Sequence, residues 1–205
     1  ISILVMYKKH SILFTSPPDI FMQIDPVEII RQFYDPDSKL FAILMAHSTQ
    51  VADKSLEIAK GVAHLNPNMD FIEKAAMLHD IGIFKTNSPK IGCAGDYPYV
   101  CHGYLGRELL DGLGLPREFG LVSERHTGAG ITLENIIEAD LPLPHRDMVP
   151  VSLEEKIICC ADKFYSKSPK KRDTVMTRKK IEKSLAKLNP GHAKRFSAWA
   201  DEFGF

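Results

Sequence analysis

Phe71-Ile72-Glu73-Lys74-Ala75-Ala76-Met77-Leu78-His79-Asp80-Ile81-Gly82 is the stretch whose reading sets the fold class of this chain of 205 residues. Phe71, Ile72, Ala75, Ala76 and Leu78 return at helical spacing, and Gly82 then supplies a stop. Asn66-Pro67-Asn68 breaks the chain just before them, so a short helix is predicted that delivers an imidazole and a carboxylate to its end. Neighbouring segments read the same way. Asp25-Pro26-Val27-Glu28 offers a cap, a proline at the first helical position and a glutamate three residues after the cap. From Lys39 to Leu65 a long helix is predicted, with Leu40, Leu44, His47, Val51 and Ile58 on one buried stripe. Further helices are expected from His102 through Leu110 and from Leu115-Pro116 to Arg125-His126. Ser152-Leu153-Glu154-Glu155 reads as a capping box that launches a helix with Ile158, Ala161, Asp162 and Tyr165 on one face. Two amphipathic helices, 177–188 and 192–203, complete the tail. No long alternating run argues for a sheet, and residues 86–99, with Pro89, Gly92, Gly95 and Pro98, read as a long loop. The expected fold is all-α: a compact helical bundle.

A hydrophobic content of 44% supports one sizeable core, divided here into a bundle over 25–168 and a C-terminal helical extension over 169–205 packed on the same core. Residues 1–24 are expected to be a loosely ordered leader, with Met22 as a candidate natural start. Lys8, Lys9 and His10 interrupt their apolar patches, so no span long enough for a bilayer is expected. The formal net charge is zero, which argues against a general attraction to nucleic acid or membrane. It conceals a basic stretch: between Lys167 and Arg195 there are eleven Lys or Arg and two acids. Lys179, Lys180, Lys183 and Lys187 read as a solvated helix face opposite Ile181, Leu185 and Leu188. Cys93, Cys101, Cys159 and Cys160 form no CxxC pair, so neither a zinc ribbon nor a disulfide framework is expected, and the reducing cytoplasm is the expected compartment.

Six potential metal ligands stand out: His47, His79, Asp80, His102, His126 and Asp162. Taken singly, each has an ordinary reading. A histidine on an apolar face is usually a hydrogen-bonded core residue, His102 can cap its helix, and His126 can face a helix C-terminal dipole. Taken together they ask for a common cause, because Asp162 sits on a core-facing stripe where its nearest basic residue, Lys163, is expected to point off the face. A cation satisfies several such groups at once. Adjacent His79 and Asp80 at a helix end approach one ion from different directions or hold two. Imidazole with carboxylate suits zinc, iron, manganese or cobalt; without a thiolate, Mn²⁺ or Fe²⁺ is preferred.

The ordered set His47, His79-Asp80, Asp162, with the string His79-Asp80-Ile81-Gly82, resembles the HD-domain superfamily of metal-dependent phosphohydrolases, in particular its HDIG-motif members. The resemblance covers Leu40 to Ser168 and implies a helical bundle in which those four residues coordinate a divalent metal. His102-Gly103 and Arg125-His126-Thr127-Gly128-Ala129-Gly130, with Leu153-Glu154-Glu155-Lys156-Ile157 and Ala161-Asp162-Lys163, are similar to the two-metal subset of that superfamily. Bacterial diadenosine-tetraphosphate hydrolases and an archaeal-type group of phosphohydrolases belong to this subset. By that resemblance Asp80 would bridge two ions, and His102 and His126 would hold the second. The chain departs from the pattern at Ile83, where many HDIG proteins carry a lysine; the nearest base is Lys85.

The expected activity is hydrolysis of a phosphate ester or phosphoanhydride of a nucleotide by a metal-activated hydroxide. Asp80 and Lys85 are its expected catalytic residues. Lys85, Arg125 and Lys163 are the expected substrate-binding cations, with Arg107 a further candidate, and Tyr97 and Tyr99 of the long loop are placed to cover a base or sugar. A small phosphorylated molecule is the expected partner, and a homodimer is one candidate assembly. Two readings from other classes stay open on the residues alone: a non-catalytic metal and nucleotide sensor, and a di-iron oxygenase on the same scaffold.

Overall fold

Asp25 opens the first helix, its carboxylate accepting from the N–H groups of Val27 and Glu28, and α1 (Pro26–Arg31) follows with proline in its first turn. The structure is a computed structural model that describes residues 23–168 and 174–205, so the expected leader lies outside the described residues save for Gln23 and Ile24. Ser38 caps α2 (Lys39–Gly61) through the Phe41 N–H. A 3₁₀ turn, Ala63–Leu65, and a left-handed Asn66 end that helical run. Asn68 caps α3 (Met69–Leu78), which stops at His79. Then come α4 (His102–Gly112), α5 (Arg117–Arg125), α6 (Leu133–Glu138), α7 (Leu153–Asp162), α8 (Arg178–Leu188) and α9 (Pro190–Phe203). The all-α expectation describes this architecture.

The long helix α2 packs against α3 and α7, α4 packs against α5, and α8 against α9. Leu44, Val51, Ile72, Leu78, Ile157 and Ile158 are buried from three of these helices into one apolar cluster. Ile181, Leu185, Phe196 and Trp199 from α8 and α9 join the same cluster. A smaller cluster of Cys101, Leu105, Ile131, Ile136, Leu143 and Met148 sits under α6, tied by an antiparallel bridge between Ile131 and Met148.

Three details differ from the sequence reading. Residues 86–99 are not a bare loop: β1 (Thr86–Ser88) pairs antiparallel with β2 (Cys93–Ala94) and parallel with β3 (Tyr97–Pro98). Strands of two or three residues are too short to show an alternating period. Helix α6 was not expected; Thr132 and Asn135 make its capping box. At α7 the box is half formed. Ser152 accepts from the Glu155 N–H, but the Glu155 carboxylate accepts from Val151 N–H and from Arg125.

Candidate metal centre

The turn after α3 presents His79 and Asp80, and three contacts hold it. The Tyr34 hydroxyl donates to the Ile81 carbonyl at 2.7 Å and accepts from the Phe84 N–H at 3.3 Å. The Ser123 hydroxyl lies 2.8 Å from the His79 carbonyl and 3.1 Å from that of Gly103. Gly82 rests directly on α4, where a Cβ would stand 2.3 Å from the His102 carbonyl. All six sequence-predicted ligands are buried around this turn.

They form two groups that share Asp80, each with its ligand atoms within 4.8 Å of one another: His47, His79, Asp80 and Asp162, and Asp80, His102 and His126. In the first, His47 Nε2 lies 2.9 Å from Asp162 Oδ1 and 3.3 Å from Asp80 Oδ2. His79 Nε2 lies 3.0 Å from Asp80 Oδ2 and 3.6 Å from Asp162 Oδ1. In the second, His102 Nε2 and His126 Nε2 are each 3.4 Å from Asp80 Oδ1 and 3.0 Å from each other.

Three of the four imidazoles are oriented from behind. Nδ1 of His79, His102 and His126 lies 2.6–2.7 Å from the carbonyl three residues earlier, of Ala76, Tyr99 and Ser123. A carbonyl only accepts, so Nδ1 carries the proton, and in a neutral ring Nε2 then faces the site as a lone pair. In the second group this leaves two nitrogen lone pairs and a carboxylate oxygen confronting one another with no proton between them. Burial lowers the His102 pKa to about 3 despite the nearby Asp80 carboxylate, and burial lowers that of His126 as well. An extra proton is therefore a poor remedy, and His79 Nε2 and both Asp80 oxygens also lack an aligned hydrogen bond among the described residues. A cation fits this donor set.

Electrostatics in the first group differ. Burial opposes the His79 cation, but Asp80 and Asp162 outweigh it and push its pKa up to about 9. Burial likewise works against both carboxylates, yet His79 and Lys167 hold Asp80, and Lys163 and Lys167 hold Asp162, well below the usual carboxylate range. Lys163 therefore does not point away: its Nζ pairs with Asp162 and donates to the His126 carbonyl at 3.0 Å. Lys167 was read only as the start of a basic stretch, yet its Nζ stands 2.6 Å from Asp80 Oδ2.

The other expected cations are elsewhere. The Arg125 guanidinium is held by Glu155, at 3.1 and 2.9 Å from its two oxygens, and Arg107 pairs with buried Glu124 and with Asp111. Lys85 is half-buried in the 3₁₀ turn Ile83–Lys85 and belongs to neither ligand group. Beside Asp162 opens a cavity of about 480 Å³, bounded by Tyr99, Lys90, Lys163, Lys167 and the hydroxyl-bearing Ser166. Tyr99 stacks on the His102 ring at 4.7 Å, while Tyr97 is exposed. All four cysteines are buried and free, and none enters a ligand group. No helix among the described residues is long and apolar enough to cross a membrane.

Residues 44–166 match the HD domain family. An uncharacterized protein of Methanocaldococcus jannaschii is 34% identical over 151 residues, covering 72% of this chain and 80% of its own length. The tRNA (cytidine(56)-2'-O)-methyltransferases of Picrophilus torridus and Thermoplasma volcanium are 37% and 28% identical over 144 and 123 residues. Those two matches cover 68% and 60% of this chain, which spans only 38% and 32% of the methyltransferases. Among solved structures, the HD domain of the phosphodiesterase PgpH of L. monocytogenes aligns with a TM-score of 0.48 at 14% identity, covering 83% of this chain and 92% of that one.

Proposed function

The chain belongs to the HD-domain family of metal-dependent phosphohydrolases, and on that premise we propose that it hydrolyses a phosphorylated nucleotide at a centre of two divalent ions. His47, His79, Asp80 and Asp162 hold one ion; Asp80, His102 and His126 hold the other. The observation that carries this reading is the buried meeting of His102 Nε2, His126 Nε2 and Asp80 Oδ1, three acceptors with no proton to share. Mn²⁺ or Fe²⁺ suits a donor set of imidazole and carboxylate without thiolate.

Divalent ions supply a water of lowered pKa and a clamp on phosphoryl oxygens. The chain's own residues do the rest. Asp80 offers one oxygen to each group, so its orientation fixes their relative position. The carbonyls of Ala76, Tyr99 and Ser123 keep three imidazoles in the coordinating tautomer. Lys163, on the cavity wall, offers an ammonium to a substrate phosphate, and Tyr99 offers a flat face beside it. Arg125 serves by locking α5 to α7 through Glu155, which fixes His126 one residue on. A cavity of about 480 Å³ lies within the usual range for a small-molecule site, ~300–1,000 Å³.

The test is phosphate release from mononucleotides, dinucleoside polyphosphates and sugar phosphates by Mn²⁺- or Fe²⁺-loaded protein, with Asp80→Ala as control. Nucleotides are expected to turn over, and the variant to lose on the order of 10³-fold or more. Turnover of sugar phosphates alone overturns the nucleotide assignment. Tight nucleotide binding without release by fully loaded protein favours the sensor.

A further inference from the structure

Lys167 Nζ lies 2.6 Å from Asp80 Oδ2, the oxygen that His79 and His47 also approach. It reaches that oxygen from outside the helical core, because α7 ends at Asp162 and residues 165–167 have no regular structure. Its side chain keeps 13% exposure and lines the cavity with Lys163 and Tyr99, whose hydroxyl shares a hydrogen bond with it. The ammonium thus stands between a fully buried carboxylate and the cavity.

Each carboxylate of the first group has its own lysine. Asp162 is matched by Lys163 and Asp80 by Lys167. Any divalent ion taken by the first ligand group places two positive charges beside an ammonium on the same carboxylate oxygen, and like charges at that range repel strongly in a buried site. The lysine is the mobile member, and the cavity is its open side. An ammonium there has three donors for a phosphoryl oxygen. The chain also has no cation three residues after Asp80, where Ile83 stands buried.

We propose that Lys167 is a stand-in cation: it neutralises Asp80 in the metal-free protein and, displaced into the cavity by a divalent ion, holds a phosphoryl oxygen of the substrate. The inference rests on the reading of Asp80 as a metal ligand. It assigns Lys167 two opposed duties, competitor of the metal and partner of the phosphate, which a merely structural ion pair would not combine.

Lys167→Met and Lys167→Arg separate these duties, with Mn²⁺ affinity measured by calorimetric titration and inorganic phosphate affinity measured on the Mn²⁺-loaded full chain. Lys167→Met is expected to bind Mn²⁺ more tightly and inorganic phosphate more weakly, each by about tenfold. Lys167→Arg keeps the charge and is expected to stay within about threefold of wild type on both measures. Unchanged phosphate affinity in a folded Lys167→Met protein, or Mn²⁺ affinity that falls, overturns the proposal while leaving the metal reading intact. Should Lys167→Met not fold, a Lys167→Arg protein that loses phosphate affinity without gaining any for Mn²⁺ overturns it too. A wild-type protein that binds no Mn²⁺ overturns both.

Discussion

His47 comes from the middle of α2 and Asp162 from the last residue of α7, two helices that pack on each other through the main core, whereas His102 is the first residue of α4 and His126 the residue after α5, another pair of helices packed on each other. The group of His47 and Asp162 holds two carboxylates, Asp80 and Asp162, each paired with a lysine. The second pair meets a single carboxylate oxygen, and its rings are pinned by carbonyls of their own turns. In the first group each carboxylate thus has an ammonium of its own. The other is sterically complete and electrically deficient, since its three acceptors have only one another. Position in a helix and source of countercharge have been solved separately on either side of Asp80.

The largest effects should come from removing one imidazole on each side. His126→Ala takes away one of the three residues of the second group and leaves the four of the first in place. The variant is expected to hold one ion per chain against the two proposed for the wild type, with turnover reduced on the order of 10²-fold or more. His47→Ala leaves both carboxylates in place. It is expected to keep two ions at saturating Mn²⁺ but with affinity weakened by at least the ~10–100-fold typical of outer-shell losses. Metal content by mass spectrometry and Mn²⁺ titration checks both. Equal stoichiometry in the two variants would break the contrast.

A smaller effect should follow from Gly82→Ala, which removes no ligand side chain. The added Cβ would meet the His102 carbonyl at 2.3 Å and the Gly106 nitrogen at 2.5 Å, both backbone of α4. Backbone cannot rotate aside as a side chain does, so α4 must shift and carry His102 with it. Overpacking of this kind costs ~1–3 kcal/mol, read as a lower urea midpoint. Weaker binding of the second ion with the first unchanged would sharpen the contrast; equal weakening would show that the turn, and not α4, yields. Gly61→Ala is the control. A Cβ there meets nothing within 4 Å, and stability should rise by up to ~1 kcal/mol.

His47, His79, Asp80 and Asp162 were legible because helical period and a helix stop place them, and those are properties of neighbouring residues. Lys167 was not. Its meeting with Asp80 depends on how the chain leaves α7 and on the reach of a long flexible side chain, and in the sequence it is one of eleven bases in a run. Its spacing of four from Lys163, beside the ligand Asp162, is the one signal that was available. Arg125, read as a substrate-binding cation, has a partner the sequence did not announce: Glu155, 30 residues later, pairs with it. The small sheet escaped because its pairing is tertiary, with Gly95 N–H donating to the Thr86 carbonyl at 2.9 Å where a larger residue would strike Lys85.

The turn that follows His126 is clamped from α9 by a histidine, which makes the hold on that turn depend on pH. His192 Nδ1 accepts from the Ala129 N–H at 3.2 Å, and its ring lies where a Cβ on Gly128, at φ +63, would stand only 2.2 Å away. Accepting requires the unprotonated nitrogen. Burial, then Arg195 and Lys163, lower the His192 pKa from 6.5 to about 4. The unfolded chain therefore takes up this proton first as pH falls. The contribution to stability is complete above the unfolded value of 6.5 and is lost as pH drops towards 4, a change of ~1–3 kcal/mol once partial solvent access is allowed for. Urea midpoints of metal-free protein between pH 7 and pH 4 should show this slope, and His192→Gln, whose carbonyl can still accept, should flatten it. An equal slope in the variant would move the acid sensitivity away from α9 and back to the ligand groups themselves.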